Sequence, residues 1–287
     1  MAGGGDLWIA FAAGAILAYG IGEGFSKEPT VRIGPDRMLV LYGLYELPAY
    51  LAWFFLFGGA GALNAPGVVF GMAAGLCGTV SAVLWYSAME TGTASVVSAF
   101  AAGYPVVTVV LAVLFLGSVL VPIQAAAVVL LIVSAVLVSV SERTPRGGPP
   151  TRRVAPTLLV IVVVWGLVGI FDKLAIGAAG YPVAAGMYGV GSAPIFVWAY
   201  LRARRGSARP GAFRDPMAHL MSILFTVGGL ALLLAIGSGP VAVVVPLSAV
   251  YPVLTVGIRR FAVGERLSGP QKLAVGMAIF GAVLAGI

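Results

Sequence analysis

Along most of its length the chain runs in long apolar stretches, and its polar positions gather in short joins where Gly, Pro and charge cluster. A helix needs about 20 mostly apolar residues to cross the ~30 Å hydrocarbon core of a bilayer. Cutting at the joins leaves ten runs of that order, at 7–25, 38–57, 66–88, 94–115, 120–140, 155–177, 182–201, 217–236, 240–258 and 268–286. Each is predicted to be one transmembrane helix, so the expected fold class is an all-α integral membrane protein. The one long polar join, SERTPRGGPPTRR at 141–153, separates two sets of five. The domain plan is therefore a first five-helix repeat at 1–140, a basic loop at 141–154 and a second repeat at 155–287. No Lys or Arg precedes the first run, and Asp6 stands where a signal peptide carries its basic region, so that run is expected to stay in the mature protein.

Composition agrees with this plan and removes several functions. With 60% hydrophobic residues, 9% charged residues and a mean hydropathy of +1.05, the chain is not an ordinary soluble domain, where about a quarter of residues are charged. The 17 Lys and Arg against 10 Asp and Glu leave +7, which is read as loop charge; no nucleic-acid motif is present. Cys77 and His219 are each the only residue of their type, so neither an internal disulfide nor a zinc cluster can be assembled. The N-terminal GGG lacks the Lys and Ser/Thr of a phosphate loop, which removes ATP hydrolysis as the power source. No cofactor and no metal are expected. The partners expected are a small-molecule substrate and the lipid bilayer, with monomer and homodimer both open.

The halves repeat each other. A shift of 146 residues lays Tyr19-Gly20 on Trp165-Gly166, Phe25 on Phe171, Lys27 on Lys173, Tyr42-Gly43 on Tyr188-Gly189 and Pro48 on Pro194. A shift of 147 lays Gly92 on Gly239, Tyr104-Pro105 on Tyr251-Pro252, Thr108 on Thr255, Gly117 on Gly264, Leu120 on Leu267 and Gln124 on Gln271. An odd number of spans per repeat means that the second half enters the membrane inverted, the plan of secondary transporters with a site near the midplane.

These residues resemble the EamA-type branch of the drug/metabolite transporter superfamily over essentially the whole chain. The resemblance is carried by the aromatic-Gly and Lys pattern of each half, by Tyr-Pro in spans four and nine, and by GERLSGPQ at 264–271, whose first-half counterpart GSVLVPIQ at 117–124 lacks the Glu and Arg. It implies ten helices, transport of small metabolites, often export, and no prosthetic group. Within the superfamily the chain is similar to the aromatic amino-acid exporter branch.

Orientation follows from charge. Sixteen of the 17 basic residues fall in loops after odd-numbered spans, at 27–37, 143–153, 202–214 and 259–272, and Lys173 alone lies opposite. Lys and Arg in short loops stay cytosolic, which places both termini outside a bacterial-type inner membrane.

Glu46 is the leading candidate for chemistry. It lies in the middle of span two, at a depth where carboxylates usually face a cavity and serve function. Tyr42, Glu46 and Tyr50 form one stripe at four-residue spacing, and the inverted mates are Tyr188, Ser192 and Phe196. Glu46 either pairs with a substrate ammonium, carries a coupled proton, or holds helices together as a neutral acid. Tyr19, Trp165, Tyr86 and Trp85 lie deep enough to wall such a site, whereas Trp8, Trp53 and Trp198 are placed as interfacial anchors. Glu23 is expected at a solvated helix end or in an ion pair, Asp172 and Lys173 near the opposite face, and His219 in a solvated loop. Tyr104-Pro105 and Tyr251-Pro252 are expected to bend spans four and nine in mid-course, as hinges or as packing kinks.

The function expected is a secondary transporter moving small metabolites by alternating access. An intramembrane enzyme acting on lipid or peptide is the alternative, and it is opposed by the lone His219 near a membrane surface and by the lack of paired acids within the spans.

Overall fold

The computed structural model describes residues 7–91, 97, 101, 103–140, 151–205, 212–254 and 268–285. The linker at 141–150, Gly92, most of the SAFAAG segment, Thr255, Gly264 and Leu267 lie outside them. The described chain is helical throughout: α1 (Leu7–Gly24), a short α2 (Lys27–Ile33), α3 (Pro35–Leu56), α4 (Ala65–Thr91), α5 (Tyr104–Leu116) and α6 (Pro122–Val140). A stretch Thr151–Arg205 follows that breaks at Gly180, whose φ of 79° and ψ of 172° no helix contains, into α7 (151–179) and α8 (181–205). Then come α9 (Pro216–Ser238), α10 (Val241–Ser248) with a further turn at 251–254, and α11 (Gly269–Ala285). With α2 set aside, these segments fall on the ten expected spans, in two inverted sets of five.

The surface is that of a membrane protein. Phe55, Leu114 and Phe115 are 71%, 69% and 74% exposed, whereas small residues such as Ala12, Ala15, Ala112, Ala127 and Ala175 are wholly buried. Lipid is as apolar as leucine, so helices associate by close packing of small residues rather than by hydrophobic exclusion. The helix pairings follow the repeat. α1 packs on α9 while α4 packs on the 151–205 stretch, α3 packs on that same stretch, and α6 packs on α11.

The repeat motifs act as keys between the halves. A methyl group on Gly20 would stand 2.8 Å from Leu254 Cδ2 and 3.0 Å from the Tyr251 carbonyl oxygen. At its mate Gly166, the same methyl would stand 2.5 Å from Val107 Cβ and 3.0 Å from the Tyr104 oxygen. The aromatic-Gly motif of each half thus seats the Tyr-Pro segment of the other. A second matched pair does the same between α3 and α8: Gly43 receives the Phe196 ring and Gly189 receives Tyr50, where a Cβ would meet the side chains at 2.6 and 3.4 Å. A few hydrogen bonds reinforce these crossings, with Thr108 Oγ1 donating to the Gly166 carbonyl at 2.8 Å and Ser134 Oγ to that of Ala274 at 2.7 Å.

Three expectations are corrected. Pro105 and Pro252 do not bend a continuous helix. Pro105 sits in the first turn of α5, behind Gly103, and Pro252 sits in a new turn after α10 stops at Ser248. A proline in a first turn removes no helical hydrogen bond, so the chain breaks ahead of each Tyr-Pro pair instead of kinking through it. Trp8 is not an interfacial anchor; it is 8% exposed and its indole packs over Gly239. His219 lies in the first turn of α9 rather than in a loop, half-exposed, with Nε2 2.9 Å from the Phe213 carbonyl and Nδ1 2.9 Å from the Tyr45 hydroxyl. A carbonyl only accepts, so Nε2 carries the proton and both ring nitrogens are occupied.

One end of the bundle is tied by polar contacts between the halves. Asp215 caps α9, accepting from the backbone N–H of Met217 at 3.0 Å and Ala218 at 3.3 Å, and its other oxygen takes the guanidinium of Arg32 from α2. Arg202 at the end of α8 reaches Asp36 at the start of α3, at 3.3 Å. Arg37 adds a weaker bond to the carbonyl of Ala203, at 3.4 Å.

Candidate functional site

Where the halves meet, aromatic side chains from α1, α3, α4, α5, α7, α8 and α9 and the 251–254 turn enclose a cavity of about 130 Å³, room for on the order of ten waters or one small solute. Tyr19, Tyr42, Tyr50, Trp85, Tyr86, Trp165 and Tyr188, all anticipated from sequence, stand in its wall. Tyr104 and Tyr251, expected only at hinges, stand there too, with Phe225. The rings brace one another in repeat-related pairs: Tyr19 meets Tyr251 edge-on at 5.8 Å between centroids, and Trp165 meets Tyr104 at 5.9 Å. Tyr50 leans on Tyr188 at 5.2 Å. Two glycines make room for the phenols, since a Cβ on Gly78 would lie 2.0 Å from the Tyr188 hydroxyl and one on Gly229 would lie 2.4 Å from that of Tyr50.

Glu46 and Ser192, the remaining two anticipated residues, do not reach the wall. They are wholly buried behind it, at the α3–α8 crossing. These two are mates in the repeat, and they lie side by side with the Tyr42 hydroxyl as the third polar group. Both carboxyl oxygens of Glu46 fall short of full hydrogen-bond geometry. The Ser192 hydroxyl turns instead to the carbonyls of Tyr188, at 3.0 Å, and Gly75, at 3.3 Å. Tyr42, Tyr50 and Tyr188 lie within electrostatic reach of Glu46 and also form cavity wall, so one layer of phenols separates the acid from the cavity.

Two acids that sequence reasoning assigned to helix ends do line the cavity. Glu23 sits one turn below Tyr19 on α1 and faces inward, half-buried. Asp172 on α7 is 4% exposed, and its Oδ1 has no hydrogen-bond partner. The neighbouring Lys173 points elsewhere, donating from Nζ to the carbonyls of Ile236 at 2.8 Å, Gly239 at 2.9 Å and Gly237 at 3.5 Å. It therefore caps the C-terminus of α9, where a cation offsets the exposed carbonyls and the negative end of the helix dipole. A signal for the inward acids was present: Asp172 lies one helical turn beyond Val168 and two beyond Trp165, on the face that sequence reasoning had already turned to the site. Among the described residues no group of His, Cys, Asp and Glu is arranged to hold a metal.

Two inverted sets of five apolar helices around a cavity walled by both halves define a multi-pass membrane protein built as a two-repeat carrier of small solutes. The chain belongs to the EamA-like transporter family, which matches it twice, over residues 6–140 and 153–287. A solved crystal structure shares the fold, with a TM-score of 0.69 at 18% identity, over 96% of this chain and 95% of the other. Among curated proteins none matches the sequence.

Proposed function

We propose that the protein is a secondary transporter that exports amino acids or similarly small amphipathic solutes across the cytoplasmic membrane by alternating access. The observation that carries this reading is the aromatic cavity walled by both halves at once. Rocking one repeat against the other changes which side such a site faces without dismantling it. The phenols and indoles offer broad apolar faces with polar tips, suited to the side chain of an aromatic or aliphatic amine or amino acid. Glu46 serves as an ionisable group behind the wall, either steering a cationic solute or carrying a coupled proton. The basic loops lie on the cytosolic side and the termini outside.

The test is counterflow of labelled solutes in proteoliposomes, run over a panel of amino acids and amines with and without a pH gradient. Saturable counterflow of at least one small amphipathic solute is expected, and a response to the gradient that Glu46→Gln abolishes assigns Glu46 its proton. If protein-free vesicles matched the reconstituted ones for every solute, the transport reading would fail.

A further inference from the structure

Among the described residues the cavity wall is unequal in charge. Its wall holds two carboxyl groups, Glu23 and Asp172, and among the described residues no Lys, Arg or His side chain lines it. The nearest cation in sequence, Lys173, has its ammonium hydrogens committed to the carbonyls that end α9. Asp172 is nearly fully buried with one oxygen unpartnered, and it lies within electrostatic reach of Tyr19, Tyr50 and Tyr188. A buried carboxylate without a partner is unfavourable, and it is relieved by taking up a proton or by a donor that a ligand supplies. The surrounding rings present negative π faces, which attract an ammonium group and repel an anion.

We infer that Asp172 is the cation-recognising residue of this cavity, and that the cargo is an amine or other organic cation that carries no carboxylate. The inference rests on the transport reading and narrows it. Of the solutes which that reading admits, a free amino acid would have to bury its carboxylate against aromatic faces and two acids, with no cationic side chain among the described residues of the wall to receive it. An amine of the same size meets Asp172 through a charge-assisted hydrogen bond and packs its apolar part on Tyr19, Tyr50, Tyr188 and Trp165.

Three probes that differ only in their charged groups decide the matter: phenethylamine, phenylalanine and 3-phenylpropionate, titrated against the purified full chain with intrinsic tryptophan fluorescence as readout. Phenethylamine should bind, phenylalanine about tenfold or more weakly, and 3-phenylpropionate not measurably, because each added carboxylate is buried unpaired. Asp172→Asn should weaken phenethylamine about 10- to 100-fold, the scale of one hydrogen bond to a charged group, while Asp172→Glu keeps part of the affinity. The ranking of the three probes on the unaltered protein stands independently of whether either variant folds. Equal or tighter binding of phenylalanine or 3-phenylpropionate, no binding of phenethylamine, or an unchanged affinity in Asp172→Asn would each overturn the inference. Counterflow of a zwitterion or an anion in proteoliposomes would then leave the transport reading standing, whereas absence of counterflow for every solute would remove that reading as well.

Discussion

The two halves of the molecule agree where their Gly and aromatic keys pack and differ in the acids at and behind the cavity wall. Gly20 seats Tyr251 and Leu254 while Gly166 seats Tyr104 and Val107; Gly43 receives Phe196 while Gly189 receives Tyr50. Each acid at or behind the cavity wall, in contrast, stands opposite a neutral mate under the 146-residue shift: Glu23 opposite Gly169, Glu46 opposite Ser192, and Asp172 opposite Ser26. The lesson is that close packing obeys the pseudo-symmetry because both halves must build the same interface, whereas a solute with a charged end needs a site that is not the same from both directions.

The sharpest way to break the symmetric side of this comparison is to fill the keys. Gly20→Leu and Gly166→Leu push side chains into the facing segment at matched places, and overpacking of this kind costs about 1–3 kcal/mol or more. Both variants should lose most of their folded, monodisperse yield, and by similar amounts. A large loss in one and none in the other would show that the keys are not equivalent.

The asymmetric side is tested at the pair where mates meet. Glu46→Gln keeps shape and removes ionisation, so it should cut transport about 10- to 100-fold, the scale of one lost interaction with a charged group, at nearly unchanged thermal stability. Ser192→Ala should leave transport within about twofold, since that hydroxyl is directed to backbone carbonyls and such interhelical bonds average about 0.6 kcal/mol in membrane proteins. Because the two side chains lie side by side, the swap Glu46→Ser with Ser192→Glu should recover part of the transport lost by Glu46→Ser alone. Flux in proteoliposomes checks all three, and full transport in Glu46→Gln would leave that acid as packing.

Smaller effects are expected at the polar contacts between the halves. Asp215→Ala removes the cap of α9 and the partner of Arg32, with a cost of about 1 kcal/mol, read as a lower Tm with flux per folded molecule unchanged. Pro105→Ala and Pro252→Ala restore no hydrogen bond, because each proline lies in a first turn; stability should move by less than about 1 kcal/mol. If the breaks ahead of these prolines are moving parts, turnover falls by more than that shift explains. Arg202→Ala, losing an exposed pair with Asp36, should change stability least, by about 0–0.5 kcal/mol.

Much of this was legible in the chain, and the reasons differ by feature. Span positions follow from apolar length alone, so ten runs fell on ten helical segments. The repeat was visible because the key residues are Gly and aromatics, which nothing else replaces at a crossing that tight. Seven wall residues were found by following one helix face from Tyr42 and by trusting depth at Tyr19, Trp165, Tyr86 and Trp85. Depth misled elsewhere. Asp172 and Glu23 lie nearer the ends of their spans than Glu46 does, yet they line the cavity while Glu46 lies behind it, because which way a side chain faces depends on how a helix is rotated against its neighbours. The sequence places α2 in a loop, since seven residues with Pro29 and three charges carry no span signal; its helix is held through the Arg32–Asp215 contact 183 residues away in sequence.

The contacts that link the halves at the starts of α3 and α9 and the end of α8 have a consequence in time as well as in stability. Arg32–Asp215, Arg202–Asp36 and Tyr45–His219 all run from the first half to the second. Any movement that parts the halves at that end must first undo them, so their joint strength contributes to the waiting time before the movement. Arg32 and Arg202 have side chains 59% and 56% exposed, so these pairs feel the ions of the aqueous phase, whose screening length is about 8 Å at physiological salt. In the alternating-access cycle proposed above, ionic strength at that end works as a clock setting, hastening separation of the halves as it rises, while the uncharged Gly and aromatic keys keep the same pace in any buffer.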